Sequence, residues 1–150
     1  MAMRTYGVET KGMILTINEL YNLIKLNKKN IKQKFELEDR WKKVFEDIDN
    51  IEFEDILDFT YNINFATFIG EFNGYLDIDK TQERMYFGDR YSGSEDVILF
   101  ELMKNNLYEK YNNREEIIQE LKDDLKAVGI VVDNDYVERH FGYICGSYVA

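Results

Sequence analysis

The sequence predicts an α+β fold, with about five helices packed against a small antiparallel β-meander and a C-terminal strand. Three observations carry that prediction. Thr16 with Glu19, and Asn113 with Glu116, are capping signals that each precede apolar residues at helical spacing. Residues 61–88 change to apolar and polar positions in alternation around Asn73-Gly74, a dipeptide suited to the type I′ turn of a hairpin. The tail Tyr136–Val149 is rich in aromatic and β-branched residues, a strand composition.

Taken in order, residues 1–12 lack periodicity and read as a flexible N-terminal extension or tag, leaving 13–150 as one α+β domain. Ile17, Leu20, Tyr21 and Ile24 then mark a first helix, and Lys25–Lys34 a basic connector. Leu37, Trp41, Val44, Phe45 and Ile48 form one face of a second helix that Asn50 interrupts. Phe53, Ile56, Leu57 and Tyr61 mark a third, with Glu54 and Asp58 outside.

Strands are expected at 65–72 and 75–79, joined at Asn73-Gly74 so that Phe72 faces Tyr75, with a third strand over Arg84–Gly88. Ser92-Gly93-Ser94 would open a helix carrying Val97, Ile98, Leu99, Phe100, Leu102, Met103 and Leu107. Apolar residues nearly encircle that segment, which implies a central helix covered by neighbours on more than one side. Ile117, Leu121, Leu125 and Val128 define the next helix, and Gly129 ends it.

Composition bounds the function more than it names it. The chain has 150 residues, of which 45% are apolar and 32% charged, enough for one domain with a real core. The longest apolar stretch, Ala127–Val132, is far short of the roughly 18 residues of a membrane span. With no secretory signal pattern and a single cysteine, Cys145, the expected location is cytoplasmic.

Charge is the informative part of the composition. The net charge of −10 argues against nucleic acid or anionic membrane as a direct partner. Residues 1–43 carry ten Lys/Arg and five Asp/Glu, net +5, whereas residues 44–101 carry three and fifteen, net −12. Solubility and solvated helix faces account for part of this. A concentrated anionic surface would also speed association with a cationic protein. The candidate contacts are Glu52, Glu54, Asp55, Asp58, Asp77, Asp79, Asp89, Glu95 and Asp96, with Tyr75 and Tyr91 as aromatic anchors.

Catalytic patterns are weak by comparison. Asp77-Ile78-Asp79-Lys80-Thr81 resembles the first motif of haloacid-dehalogenase-type phosphatases, which implies an aspartyl nucleophile, an acid/base and magnesium. The Asn-Gly pair upstream and the position of Asp123-Asp124 inside a predicted helix do not suit that chemistry. One His and one Cys exclude a Cys/His zinc site, and Gln82 and Gly88 break a calcium-loop pattern. His140 and Cys145 are spaced so that neither a strand nor a helix brings them together. Phe68-Ile69-Gly70, Gly74, Asp77-Ile78-Asp79 and Met85–Asp89 resemble the strand region of the SUKH superfamily, whose members include immunity proteins against nuclease toxins.

The expected function is therefore a non-catalytic, acidic binding protein with no cofactor and no metal. Its expected partner is a basic, nucleic-acid-handling protein, which it would inhibit as a toxin-immunity or anti-CRISPR-type protein, by nucleic-acid mimicry in one version. Self-association as a homodimer stays open. The alternatives are a metal-dependent phosphohydrolase using Asp77 and Asp79, and a structural, oligomeric phage component.

Overall fold

The computed structural model describes residues 4–34, 39–61, 67–78, 81–88, 95–101 and 114–149. Among them are six α-helices and one antiparallel five-stranded sheet, an α+β fold that ends in a strand. Strand β1 (Thr5–Thr16) leads into α1 (Ile17–Leu26) and α2 (Lys28–Lys34). Helix α3 (Asp39–Glu46), a 3-10 turn (Ile48–Asn50) and α4 (Phe53–Thr60) precede β2 (Thr67–Ile78), β3 (Glu83–Phe87) and β4 (Glu95–Glu101). Helices α5 (Arg114–Ala127) and α6 (Asn134–His140) lead to β5 (Phe141–Val149). None of these helices is long and apolar enough to cross a membrane.

The sheet order is β3-β2-β4-β1-β5, and a further β2–β5 pairing closes β2, β4, β1 and β5 into a ring. Two long strands make this possible. β1 pairs with β5 through Thr5–Met13 and with β4 through Gly12–Thr16, while β2 pairs with β4 through Thr67–Phe72 and with β5 through Phe72–Ile78. A bulge between Phe68 and Gly70, with Gly70 at φ 83°, turns β2 out of register with β4.

Closure brings backbones together where side chains would not fit. Gly74 faces Gly146 across the β2–β5 seam, and a Cβ added to Gly146 would lie 2.4 Å from the Asn73 carbonyl oxygen and 2.5 Å from the Phe72 ring. The fully buried Phe72 ring thus occupies the space these two glycines leave empty.

Alternation along the strands divides the buried residues into two cores. Ile14, Val97, Leu99, Ile144, Phe72 and Leu76 point inside the ring. The Tyr6 and Tyr148 rings stack 5.2 Å apart on the partner strands β1 and β5, and Tyr148 packs on this inner cluster. Met13, Leu15, Ile98, Phe100 and Phe141 point outward and are covered by Leu20, Ile24, Phe59, Leu121 and Val137 from the helices.

Several expected elements differ. Thr5–Gly12, read as an extension outside the fold, is the first part of β1 and is paired throughout with β5. Asn73-Gly74 does not turn: β2 passes straight through it, and Tyr75 lies opposite Tyr86 and Cys145 instead of Phe72. The apolar run Val97–Phe100 is a strand buried on both faces, because it separates the two cores. Lys28–Lys34 is a short helix, and Asp133 caps a further helix ahead of the terminal strand. Leu37, Leu102, Met103, Leu107, the cap at Ser92-Gly93-Ser94 and the cap at Asn113 lie outside the described residues.

A buried polar side chain helps to pin the helical layer. Asn27, 7% exposed, donates its Nδ2–H to the Leu23 carbonyl and accepts the Val131 amide on Oδ1. It joins the end of α1 to the segment after α5. That segment turns at Gly129, whose φ of 90° lets the Ile130 amide reach back to the Leu125 carbonyl at 2.9 Å.

A substitution pair tests the seam. Gly146→Ala is expected to lower stability to urea by at least about 2 kcal/mol through overpacking. Gly7→Ala, with nothing within 4 Å of its added Cβ, is expected to change stability by less than about 0.5 kcal/mol. Equal effects would contradict the close approach of β2 and β5.

Candidate functional site

The outer face of β2 brings together part of the expected site. Residues alternate across the pleat, so Glu71, Asn73, Tyr75 and Asp77 share the face opposite Phe72 and Leu76. Asp96 of β4 lies directly opposite Glu71, and it shares that face. Two rows of side chains cross the adjoining strands by register: Tyr86, Tyr75, Cys145 and Glu9 in one, and Arg84, Asp77, Tyr143 and Lys11 in the other.

Aromatic and charged groups interlock on this face. The Arg84 guanidinium donates to both Asp77 carboxylate oxygens, at 2.5 and 3.3 Å, and lies 4.2 Å over the Tyr75 ring. Its charge is held more firmly than in water, first by the Asp77 hydrogen bond and then by Tyr86. Tyr75 and Tyr86 meet edge to face at 6.2 Å, and Tyr86 is 71% exposed. The hydroxyls of Tyr75 and Tyr143 are both harder to ionise than usual, the first chiefly through its hydrogen bond to Cys145 and the second chiefly through its bond to Glu9. The face therefore presents neutral tyrosines, a neutralised Arg–Asp pair and, at its β4 end, two opposed carboxylates.

Those two carboxylates repel. Burial and then the Glu71 charge raise the Asp96 pKa above its ordinary 3.8. Like charges opposite one another on paired strands cost stability, about 0.2–0.5 kcal/mol once solvent screening is counted. Glu95 lies opposite Phe72, on the other face of the pleat, and accepts the Gly88 amide at 3.4 Å.

The helical acids are placed elsewhere and have local work. Asp55 accepts the Glu52 amide at 3.1 Å and so helps cap α4, where Glu54 also favours the positive end of the helix. Asp58 is ion-paired with Arg40 of α3, so this part of the acidic run is neutralised by the basic front of the chain. Glu52 and Glu54 remain exposed. Asp79, Asp89 and Tyr91 lie outside the described residues.

A second polar feature escaped the sequence reading. Glu19, Asn22, Leu23 and Leu26 of α1, Ile78 of β2, Glu83 and Met85 of β3, and Tyr136, Arg139 and His140 of α6 line a cleft of about 410 Å³. At its wall His140 is bonded on both ring nitrogens, Nδ1 to the Tyr136 carbonyl at 2.7 Å and Nε2 to the Glu19 carboxylate. Both ring nitrogens are thus engaged, and the ring ties the α6 backbone to the Glu19 carboxylate. Burial raises the Glu19 pKa, but His140 and the Thr16 amide outweigh it and hold the carboxyl below its usual 4.5. The Tyr136 ring stacks on His140 at 4.4 Å, and burial pushes its hydroxyl pKa up to about 12. Both partners are thus engaged in joining α1 to α6, with no ring nitrogen left to act as a base. The available signal was the Tyr136/His140 spacing of four, which shares a face only on a helix.

His140 and Cys145 have separate neighbours, Glu19 and Tyr75 respectively. Among the described residues no three His, Cys, Asp or Glu side chains converge to hold a metal ion. Comparison with protein-family models, with curated proteins and with solved structures finds no match. The likeness of residues 68–89 to the SUKH strand region is thus unmatched by a family model, and function is argued from this chain's own surface.

The Glu19–His140 pair has a pH signature. A carboxyl held below its unfolded pKa of 4.5 binds its proton more readily when the chain unfolds, so its stabilisation is full above about pH 4.5 and is lost as pH falls through the lower folded value. Glu19→Gln is expected to cost about 1–3 kcal/mol at pH 7. In urea titrations the gap between wild type and Glu19→Gln should shrink as pH drops below about 4. A gap independent of pH would contradict the ionic pairing.

Proposed function

We propose that the protein is a non-catalytic binding protein that meets a cation-rich partner through the outer face of β2. The observation that carries this reading is the exposed aromatic cluster of that face, where Tyr86, 71% exposed, meets Tyr75 edge to face on the strand that also sets Glu71 opposite Asp96. Tyr75 and Tyr86 supply adjacent aromatic surface of the kind that dominates binding energy in protein interfaces. The concrete form proposed is an inhibitor of a basic, nucleic-acid-handling protein, of toxin-immunity or anti-CRISPR type, acting in the cytoplasm. Arg40 and Arg84 neutralise Asp58 and Asp77, so the candidate charge on this face lies at its β4 end, at Asp96 opposite Glu71.

The test joins stability to binding. Glu71→Gln with Asp96→Asn is expected to keep the fold, with stability to urea changed by less than about 1 kcal/mol. The same double variant should lose capture of basic proteins from a host lysate, and wild-type capture should fall steeply between about 50 and 300 mM salt. Capture of the same proteins by both forms, unaffected by salt, would overturn the reading.

A further inference from the structure

We propose that β3 is the edge through which two copies of this chain pair antiparallel, forming a two-fold dimer centred on Met85. Among the described residues β3 is hydrogen-bonded on one side only, to β2, and stands last in the sheet order. Its first four residues, Glu83, Arg84, Met85 and Tyr86, are exposed, so the outward edge is open to another strand. Tyr86 is 71% and Met85 36% exposed, placing apolar surface on that edge together with backbone groups that pair with no strand other than β2 among the described residues.

The sequence of the strand selects a second copy and a register. A two-fold antiparallel pair centred on residue 85 places Met85 opposite its own copy and Arg84 opposite the copy's Tyr86, twice over by symmetry. Shifting the centre to residue 84 or residue 86 would oppose two arginines or lose one end of the pairing. Arg84 is already held flat by Asp77 and Tyr75, so its guanidinium is preorganised to meet a further tyrosine ring. The edge itself carries Glu83 and Arg84, no net charge, whereas each whole chain carries −10. Self-pairing is therefore favoured by added salt, which screens the repulsion between chains, in contrast to binding of a cationic partner. The outer faces of the two sheets become continuous, with Tyr75 and Tyr86 of both copies side by side.

Two five-residue strands make a contact below the roughly 1,200 Å² of standard interfaces, so the expected dissociation constant is on the order of 10–100 µM. Sedimentation equilibrium from about 5 µM to 1 mM is expected to show a monomer–dimer equilibrium that is maintained or strengthened by salt. Tyr86→Lys, which sets a lysine against Arg84 of the copy, should raise the dissociation constant at least about tenfold with an unchanged circular dichroism spectrum. In a Cys145→Ala background, Met85→Cys should oxidise to a disulfide-linked dimer, while Glu83→Cys should not, its copy lying about 13 Å away along the strands. A wild-type monomer up to about 1 mM would overturn the proposal, and cross-linking at residue 83 in place of residue 85 would overturn the register.

Discussion

The fold depends on how closely β2 can approach β5. Without that seam the five strands would form an open, twisted sheet with free edges at β3 and β5. With it, four strands close on themselves and enclose a core of their own. Gly74 and Gly146 face each other where the ring is tightest, Gly142 lies against the Asp77 carbonyl, and the Phe72 ring fills the volume the missing side chains leave. Closure also requires two strands long enough to serve two neighbours each, and β1 and β2 each run for twelve residues.

Everything outside the ring is organised by that curvature. The outward residues of β1 and β4 form a single apolar floor, and the helices cover it through Leu20, Ile24, Phe59 and Leu121. The helices are then tied to one another by a few polar contacts between segments distant in sequence. Asn27 links the end of α1 to Val131, and Glu19 links the start of α1 to His140 at the end of α6. The face of β2 next to β3 and β5 carries no residue of the helix-facing core, and there the tyrosines, Arg84 and Asp77 meet solvent. The surface proposed to bind a partner is thus the part of the sheet exterior that, among the described residues, the helices leave uncovered.

Much of this was legible in the sequence. The capping box at Thr16 and Glu19, the helix over Phe53–Thr60, the third strand, expected over Arg84–Gly88 and found at Glu83–Phe87, and the stop at Gly129 follow from local chemistry, whereas the second helix ends at Glu46 and Ile48 falls in a separate 3-10 turn. Asn73-Gly74 misled because glycine serves two purposes. Here Gly74 permits a close backbone contact in place of a left-handed turn, and only the position of Gly146 along the chain could have shown it. Val97–Phe100 reads as the buried centre of a helix because a strand between two cores has the same continuous apolar pattern. On the candidate face, Tyr75 and Asp77 were legible from composition, but Glu71 gained importance only once register set it opposite Asp96.

The central claim is that β2 continues through Asn73-Gly74 and closes against β5. Backbone nuclear Overhauser effects distinguish this from the hairpin that the same dipeptide suggests. Contacts between the Cα protons or amides of Gly74 and Gly146, and of Asn73 and Ser147, are expected if the ring is closed. Backbone contacts between Phe72 and Tyr75 across a tight turn, with none from Gly74 to Gly146, would contradict the account.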